Sequence, residues 1–349
     1  MNLRDLARII GVSQTTVSRA LNGYPEVSAA TRARIVAAAR EHNYRPNTRA
    51  AGLATGRSMA IAHVFPVSLK AEMVNPIFND FFVGAAEVYA ERGYDMMLSV
   101  IDDSPGSRAV HDLGARRSAD GIIFHAPRND RAVLEQLRAT GLPFVVHGRF
   151  ADAAPDYHWV DMNNRRAFGQ ATAFLADLGH RRIALINGHA SMDFARRRRE
   201  GVFAALRAAG IAPDPDLVFN GEMTEFHGFE ATCAALDHAD PPTAIIVSSL
   251  IMAMGVRRAC DARGLRLGRD LSVITHDDVM SFFRNGGDVP DFTSLRSPIR
   301  DHGRAAATLL LRVIDDPSLG PQNVMLDAVF TLGLSTGPAH PLPRKRHQG

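Results

Sequence analysis

Apolar positions at the start of the chain repeat with the period of an α-helix. Leu3, Leu6, Ala7 and Ile10 form one stripe, and Asn2 stands where an N-cap belongs. Gly11 breaks the pattern, Ser13 can cap a second helix, and Val12, Val17 and Leu21 can pack back on the first. Ser28 can cap a third helix running to about His42, with Ile35, Val36 and Ala39 inward and Arg32, Arg34 and Arg40 outward. From Met59 onward short β-rich runs alternate with amphipathic stretches. Strands are predicted at 59–65, 95–101, 120–126 and 143–147, with helices near 77–92, 106–117 and 129–140. Gly93 and Gly141 stand where helices end. The alternation restarts with strands near 182–187, 217–220, 243–248 and 271–275 and helices near 163–178, 195–209, 225–238 and 250–263. A last helix (298–315) and strand (322–329) pass through the first series and into the second. The fold class is a small all-α helix-turn-helix head followed by an α/β body of two doubly wound parallel-sheet lobes. Ligands of such sheets sit beyond the carboxyl ends of the strands, here in the cleft between the lobes.

Charge separates head from body. Residues 1–57 hold nine arginines against three acids, a net of +6, so with +3 for the whole chain the remainder carries −3. A basic head on a mildly acidic body is the footprint of a polyanion-binding module. Gln14, Thr15, Ser18 and Arg19 point outward from the second helix. Short polar residues at its start, with Arg one turn later, suit a helix seated N-terminus first in the major groove. There Gln can pair with adenine and Arg with guanine, while hydroxyls and backbone NH groups hold phosphates. One helix-turn-helix reads only a half-site, so a homodimer on a palindrome is expected. Asn47–Thr55 is a candidate hinge helix of barely two turns, too short to be stable alone, and Gly52 weakens it by about 1 kcal/mol.

Other function classes find little support. No apolar run approaches the roughly 20 residues a bilayer requires, and the chain starts directly in its first helix without a signal-peptide core. A transport-type binding protein is therefore disfavoured and a cytoplasmic location expected. The two cysteines, Cys233 and Cys260, fit a reducing compartment as buried small apolar groups. Gly333–Gly337 reads Gly-Leu-Ser-Thr-Gly, a nucleophile-elbow pattern, but no acid follows Asp327 to complete a triad. Phosphate-loop, zinc-helix, paired-cysteine and dinucleotide motifs are missing, so the chain is expected not to be an enzyme and to carry no cofactor. His276 beside Asp277 is expected to be a satisfied polar pair rather than a metal site.

The run VSQTTVSRALNGYPEVS, the element Tyr44-Arg45-Pro46-Asn47 and the linker ending Leu53-Ala54-Thr55-Gly56 resemble the lactose/galactose repressor (LacI/GalR) family of bacterial transcription regulators. The resemblance extends over nearly all of the chain and implies a body of periplasmic-sugar-binding-protein type. It divides the chain into a DNA-binding domain (1–46), a hinge (47–57), a core (58–340) and a tail (341–349). Within the core it implies one lobe at about 58–160 and 291–321 and another at about 161–290 and 322–340. The residues expected at DNA are Ser13, Gln14, Thr15, Thr16, Ser18, Arg19, Asn22, Tyr44, Asn47, Ala50 and Leu53. Leu53 matches the family's leucine that wedges into the minor groove at the operator's centre. Those expected at the effector begin with Arg198, three before Gly201, although Arg196–Arg199 leaves the choice of arginine open. Asp277, after the strand Ser-Val-Ile-Thr-His, and Phe78, opening the first core helix, follow. His125, His147, Arg149, Asp161 and Ser249 fall at strand ends or crossovers facing the cleft.

His147-Gly148-Arg149, His276-Asp277-Asp278, Ser248-Ser249 and residues 292–304 resemble the α-glucoside operon repressors within that family. Ser249-Leu250 replaces the family's common Asn-Asp pair, which removes one sugar-hydroxyl contact. Trp159 lies near the crossover between lobes. The tail lacks leucine heptads, so a dimer rather than a tetramer is expected. The function implied is repression of a carbohydrate operon, relieved by a small sugar. A purine, a phosphorylated sugar or another metabolite is the alternative effector, and action by co-repression or activation the alternative mode; no base-stacking aromatic is evident around Arg198.

Overall fold

The computed structural model describes residues 1–21, 24–44, 57–67, 76–102, 108–125, 131–150 and 156–340. It divides into two units, Met1–Met59 and Ala60–Gly349. The first holds α1 (Leu3–Ile10), α2 (Gln14–Leu21) and α3 (Ala29–Glu41). Each start is capped as the sequence indicates: Asn2 accepts from Asp5 N at 2.9 Å, Ser13 Oγ from Thr16 N at 3.0 Å and Ser28 Oγ from Thr31 N at 3.2 Å. Gly11 ends α1 at φ 73°. Leu6, Val17, Ala20 and Ile35 are buried together, which gives three short helices the shared core none could have alone.

The second unit runs β1 (Ala60–Pro66), α4 (Ile77–Arg92), β2 (Asp95–Ile101), α5 (Ala109–Ala115), β3 (Gly121–His125), α6 (Arg131–Ala139), β4 (Phe144–His147) and β5 (His158–Met162). It continues with α7 (Asn164–Asp177), β6 (Ile183–Asn187), α8 (Asp193–Ala208), β7 (Val218–Asn220), α9 (Glu225–Leu236), β8 (Ala244–Val247), α10 (Leu250–Asp261) and β9 (Ser272–Asp277). It closes with β10 (Thr293–Arg296), α11 (Ile299–Asp315), β11 (Asn323–Leu326) and β12 (Val329–Thr331). One sheet has the order β11-β5-β4-β3-β1-β2 and is parallel throughout. The other, β12-β10-β9-β8-β6-β7, is parallel except for β12 against β10. Helices cover both, as parallel sheets require. Ala62, Val64, Ile122 and Phe124 belong to the core of the first lobe, and Ile245, Ile246, Val273 and Ile274 to those of the second.

Two expected assignments are corrected. β10 pairs with β9 in the second lobe, whereas residues 291–321 were expected in the first. The expected strand 322–329 is two strands: β11 joins β5 in the first lobe, and β12 joins β10 in the second. The chain crosses between the sheets at Asp327 and Ala328, and Asp327 is the one charged residue breaking an otherwise apolar run from Val324 to Phe330. β5 and β10 were not anticipated, because His158, Asp161, Thr293, Ser294 and Arg296 dilute their apolar signal. In the first lobe α4 and α11 cross at glycines. A Cβ on Gly84 would overlap the carbonyl oxygen of Arg300, and one on Gly303 that of Phe81. The starts of these two helices carry Phe78 and His302, which line one cavity. Among the described residues no helix is long and apolar enough to cross a membrane.

Candidate functional site

In the first unit the exposed face of α2 is the candidate nucleic-acid surface. Ser13, Gln14, Thr15 and Arg19 are exposed, and Thr16 and Ser18 are half-buried. Ser13 and Thr16 share a hydroxyl–hydroxyl bond of 2.8 Å, so both belong to the helix start as well as to its outer face. Tyr44 packs half-buried against the head's core, and burial raises its pKa. Asn22, Asn47, Ala50, Leu53 and the remaining hinge segment 47–56 lie outside the described residues, as does the tail 341–349.

In the second unit a cleft opens at the carboxyl ends of the strands of both sheets, with about 750 Å³ of empty space. β4 ends in His147, and Gly148, at φ 98°, turns the chain so that Arg149 follows into the same wall. Arg149 Nε donates to Asp161 Oδ2 at 2.7 Å, and its guanidinium lies 4.8 Å over Trp159. Burial raises the Asp161 pKa, with Arg149 opposing. Ile77 and Phe78 enter from the start of α4, and Ser297, Ile299 and His302 from the start of α11.

The second lobe contributes Asp193, Phe194 and Arg198 from α8 and His276 and Asp278 from the end of β9. Among the four successive arginines the geometry selects one. Arg196 and Arg197 both bind Asp193, and Arg199 is exposed. Arg198 is 7% exposed and donates to Asn164 Oδ1 at 2.7 Å and to the Ser248 carbonyl at 2.9 Å. Its guanidinium lies 4.8 Å from the Phe168 ring and 4.7 Å from the Phe194 ring. Aromatic faces therefore do surround Arg198, contrary to expectation, but the guanidinium itself covers them.

Phe78, His147, Arg149, Asp161 and Arg198 thus converge on the cleft, and three expected residues do not. Asp277 lines a separate cavity with Asp80 and Arg296; its Oδ1 accepts from Val279 N at 2.9 Å. Successive residues leave a strand on opposite sides, so Asp278 takes the cleft and stands 3.1 Å from His276 Nδ1. The polar pair is thus His276–Asp278, not His276–Asp277. Ser249 caps α10 by accepting from Met252 N at 3.2 Å. His125 is fully buried one layer behind His147, to which its Nδ1 bonds at 3.3 Å. Asn164, Asp193, Ser297 and His302 were not anticipated because they lie at helix starts, where polar residues read as caps.

Three further expectations meet geometry. Ser335 Oγ accepts from Thr293 N at 2.9 Å and donates to the Val273 carbonyl, so this 1%-exposed hydroxyl pins the last segment to the sheet. Among the described residues no group of three or more His, Cys, Asp or Glu is placed to hold a metal ion. Cys260 is buried, its thiol pushed up to about 12 by burial, whereas Cys233 is only half-buried against Arg263.

Residues 2–47 match the description "Bacterial regulatory proteins, lacI family", and residues 172–336 match "Periplasmic binding protein-like domain". The HTH-type transcriptional regulator AglR of Rhizobium meliloti is 38% identical over 351 residues, covering 100% of this chain and 98% of its own length. The HTH-type transcriptional regulator CelR of Thermobifida fusca is 30% identical, covering 93% of this chain and 95% of its own. Among solved structures, the lac repressor dimer bound to operator and the anti-inducer ONPF superimposes with a TM-score of 0.82 at 27% identity. That match covers 97% of this chain and 99% of the repressor. The CelR–cellobiose complex superimposes with a TM-score of 0.71 at 29% identity, covering 96% and 99%.

Proposed function

The chain belongs to the lacI family of bacterial regulatory proteins, and on that premise we propose that it represses a carbohydrate uptake or catabolism operon. Membership makes it a DNA-binding transcriptional regulator, and the absence of catalytic activity belongs to the proposal. A palindromic operator, a homodimer, a cytoplasmic location and release by a small sugar, with α-glucosides the favoured class, belong to the proposal.

The observation that carries the reading is the cleft. Arg198 is fixed by Asn164 and Ser248, Arg149 by Asp161, and Ile77, Phe78 and Ile299 add apolar surface to the same cleft. Oriented donors and acceptors beside apolar faces suit a polyhydroxylated ring, which has hydroxyl edges and C–H faces. The CelR complex holds cellobiose in a fold of this kind. A ligand touching both lobes favours the lobe angle that suits it. That change separates the paired hinge segments, which are too short to persist unsupported, and operator affinity falls. A coupling of about 1–3 kcal/mol changes affinity roughly 5- to 150-fold.

Fluorescence anisotropy on labelled DNA from upstream of its own gene tests the reading at fixed salt, with sucrose, maltose, trehalose, galactose and hypoxanthine added in turn. Release by an α-glucoside is the expected result. Tight binding that no sugar disturbs removes the sugar effector, and release by hypoxanthine replaces it with a purine. Leu53→Ala is expected to weaken operator binding while leaving effector affinity intact, and unchanged operator binding removes the wedge.

A further inference from the structure

Behind the cleft, four side chains form a continuous hydrogen-bonded run through the first lobe. Tyr89 Oη lies 3.0 Å from His63 Nε2, His63 Nδ1 lies 3.0 Å from His125 Nε2, and His125 Nδ1 lies 3.3 Å from His147 Nδ1. His63 and His125 are 0% exposed and Tyr89 is 1% exposed. Phe65, Phe78, Phe81 and Phe82 pack against the imidazoles and keep water from them. The run ends at His147, which lines the cleft; its Nδ1 is taken by His125, so Nε2 is the nitrogen left for a ligand.

A neutral imidazole carries one proton on two nitrogens, so a run of three has two polarities. In one, Tyr89 donates to His63, His63 Nδ1–H to His125 and His125 Nδ1–H to His147, which leaves His147 with an Nε2–H. In the other every proton is reversed: His63 donates to Tyr89, and His147 presents a bare Nε2. Tyr89 decides between them. Among the described residues its hydroxyl makes no hydrogen bond besides the one to His63. In the second polarity its own proton would be buried without an acceptor, which lowers that population by on the order of tenfold or more. Burial also keeps His63 and His147 uncharged, with pKa values lowered to about 3.

We propose that Tyr89, acting through His63 and His125, holds His147 as a fixed Nε2–H donor, so that the cleft selects sugars presenting an acceptor oxygen at that point. The sugar part rests on the proposed function; the polarity rests on the hydrogen-bonded run alone. Tyr89, His63 and His125 are positioning residues, and His147 is the group that meets the ligand.

Long-range 1H–15N correlation spectra of the ligand-free full chain, labelled with 15N-histidine, test the polarity directly. The expected pattern is a proton on Nδ1 of His63 and His125 and on Nε2 of His147. Protons on Nε2 of His63 and His125 overturn the proposal. With the constraint removed in Tyr89→Phe, the two polarities are expected to mix, and the nitrogen signals of His147, three rings away, to shift. If the two become equal, affinity for sucrose falls about twofold, in step with the His147 tautomer fraction. His147→Phe, which deletes the donor, is expected to cost about tenfold. Weaker sucrose binding by Tyr89→Phe with unchanged nitrogen signals means that Tyr89 only packs, and overturns the proposal. Should that variant fail to fold, the wild-type spectrum still decides. Failure of sucrose to bind the wild type removes the sugar reading, while the ligand-free spectrum still decides the polarity.

Discussion

Acid should unfold this protein from its interior. His63 and His302 are 0% and 4% exposed, and burial lowers their pKa values from 6.5 to about 3 and about 4. The unfolded chain binds protons at these positions as pH falls through 6.5, but the folded chain does not until the lower values are reached. Stability is therefore unaffected above pH 6.5 and falls with pH between 6.5 and the folded values. At pH 5 each histidine costs about 2 kcal/mol, from 1.36 kcal/mol per pH unit over about 1.5 units, so the two cost about 4 kcal/mol. His125 adds in the same direction, its pKa lowered by burial and by His63 and His147. Asp161, raised by burial, partly offsets the loss, and Asp278 favours the charged form of His302. Against the ~5–15 kcal/mol typical of folded proteins this is a large fraction. Trp159, the single tryptophan, sits 7% exposed in β5 and reports the first lobe. Urea unfolding followed by its fluorescence at pH 7.5, 6.5, 5.5 and 5.0 should show little change above 6.5 and a steep loss below. His302→Gln should remove about 2 kcal/mol of that loss. Equal stability at pH 6.5 and 5.0, or an unchanged slope in His302→Gln, would refute the reasoning.

Arg198→Met leaves Asn164 Oδ1 and the Ser248 carbonyl without their donor; a loss of about 3 kcal/mol is expected in urea unfolding, with operator binding retained but no longer responsive to ligand in the anisotropy assay. Gly255→Ala places a Cβ 2.6 Å from Phe229 N, where backbone cannot yield cheaply. It should cost at least about 1–3 kcal/mol in thermal or urea unfolding as α9 and α10 are forced apart. Arg19→Ala should cost about 1–3 kcal/mol on the operator and relax the preference at one base pair, whereas unchanged discrimination across operator variants would place Arg19 on phosphate.

Much of the chain is legible from local pattern because local chemistry decides it. The caps at Asn2, Ser13 and Ser28, the helix-ending Gly93 and the buried runs of β1 and β3 are each written within a few residues. The same holds for the basic charge of the head and the outward face of α2. What tertiary structure alone decided is which distant side chains share a space. The sequence offers four arginines in a row; only the packing of α8 against Phe168 and Asn164 turns Arg198 inward. It offers Asp277 and Asp278 as equals, and the pleat at the end of β9 sends one to the cleft and the other away from it. His63, Tyr89, His125 and His147 look like unrelated residues on β1, α4, β3 and β4. Parallel pairing in register places His125 opposite His147, and α4 lays Tyr89 across His63. Caps and stripes depend on neighbours within a helical turn or two. A binding cleft and a buried hydrogen-bonded run depend on contacts between residues tens to hundreds apart, and only the folded chain brings those together.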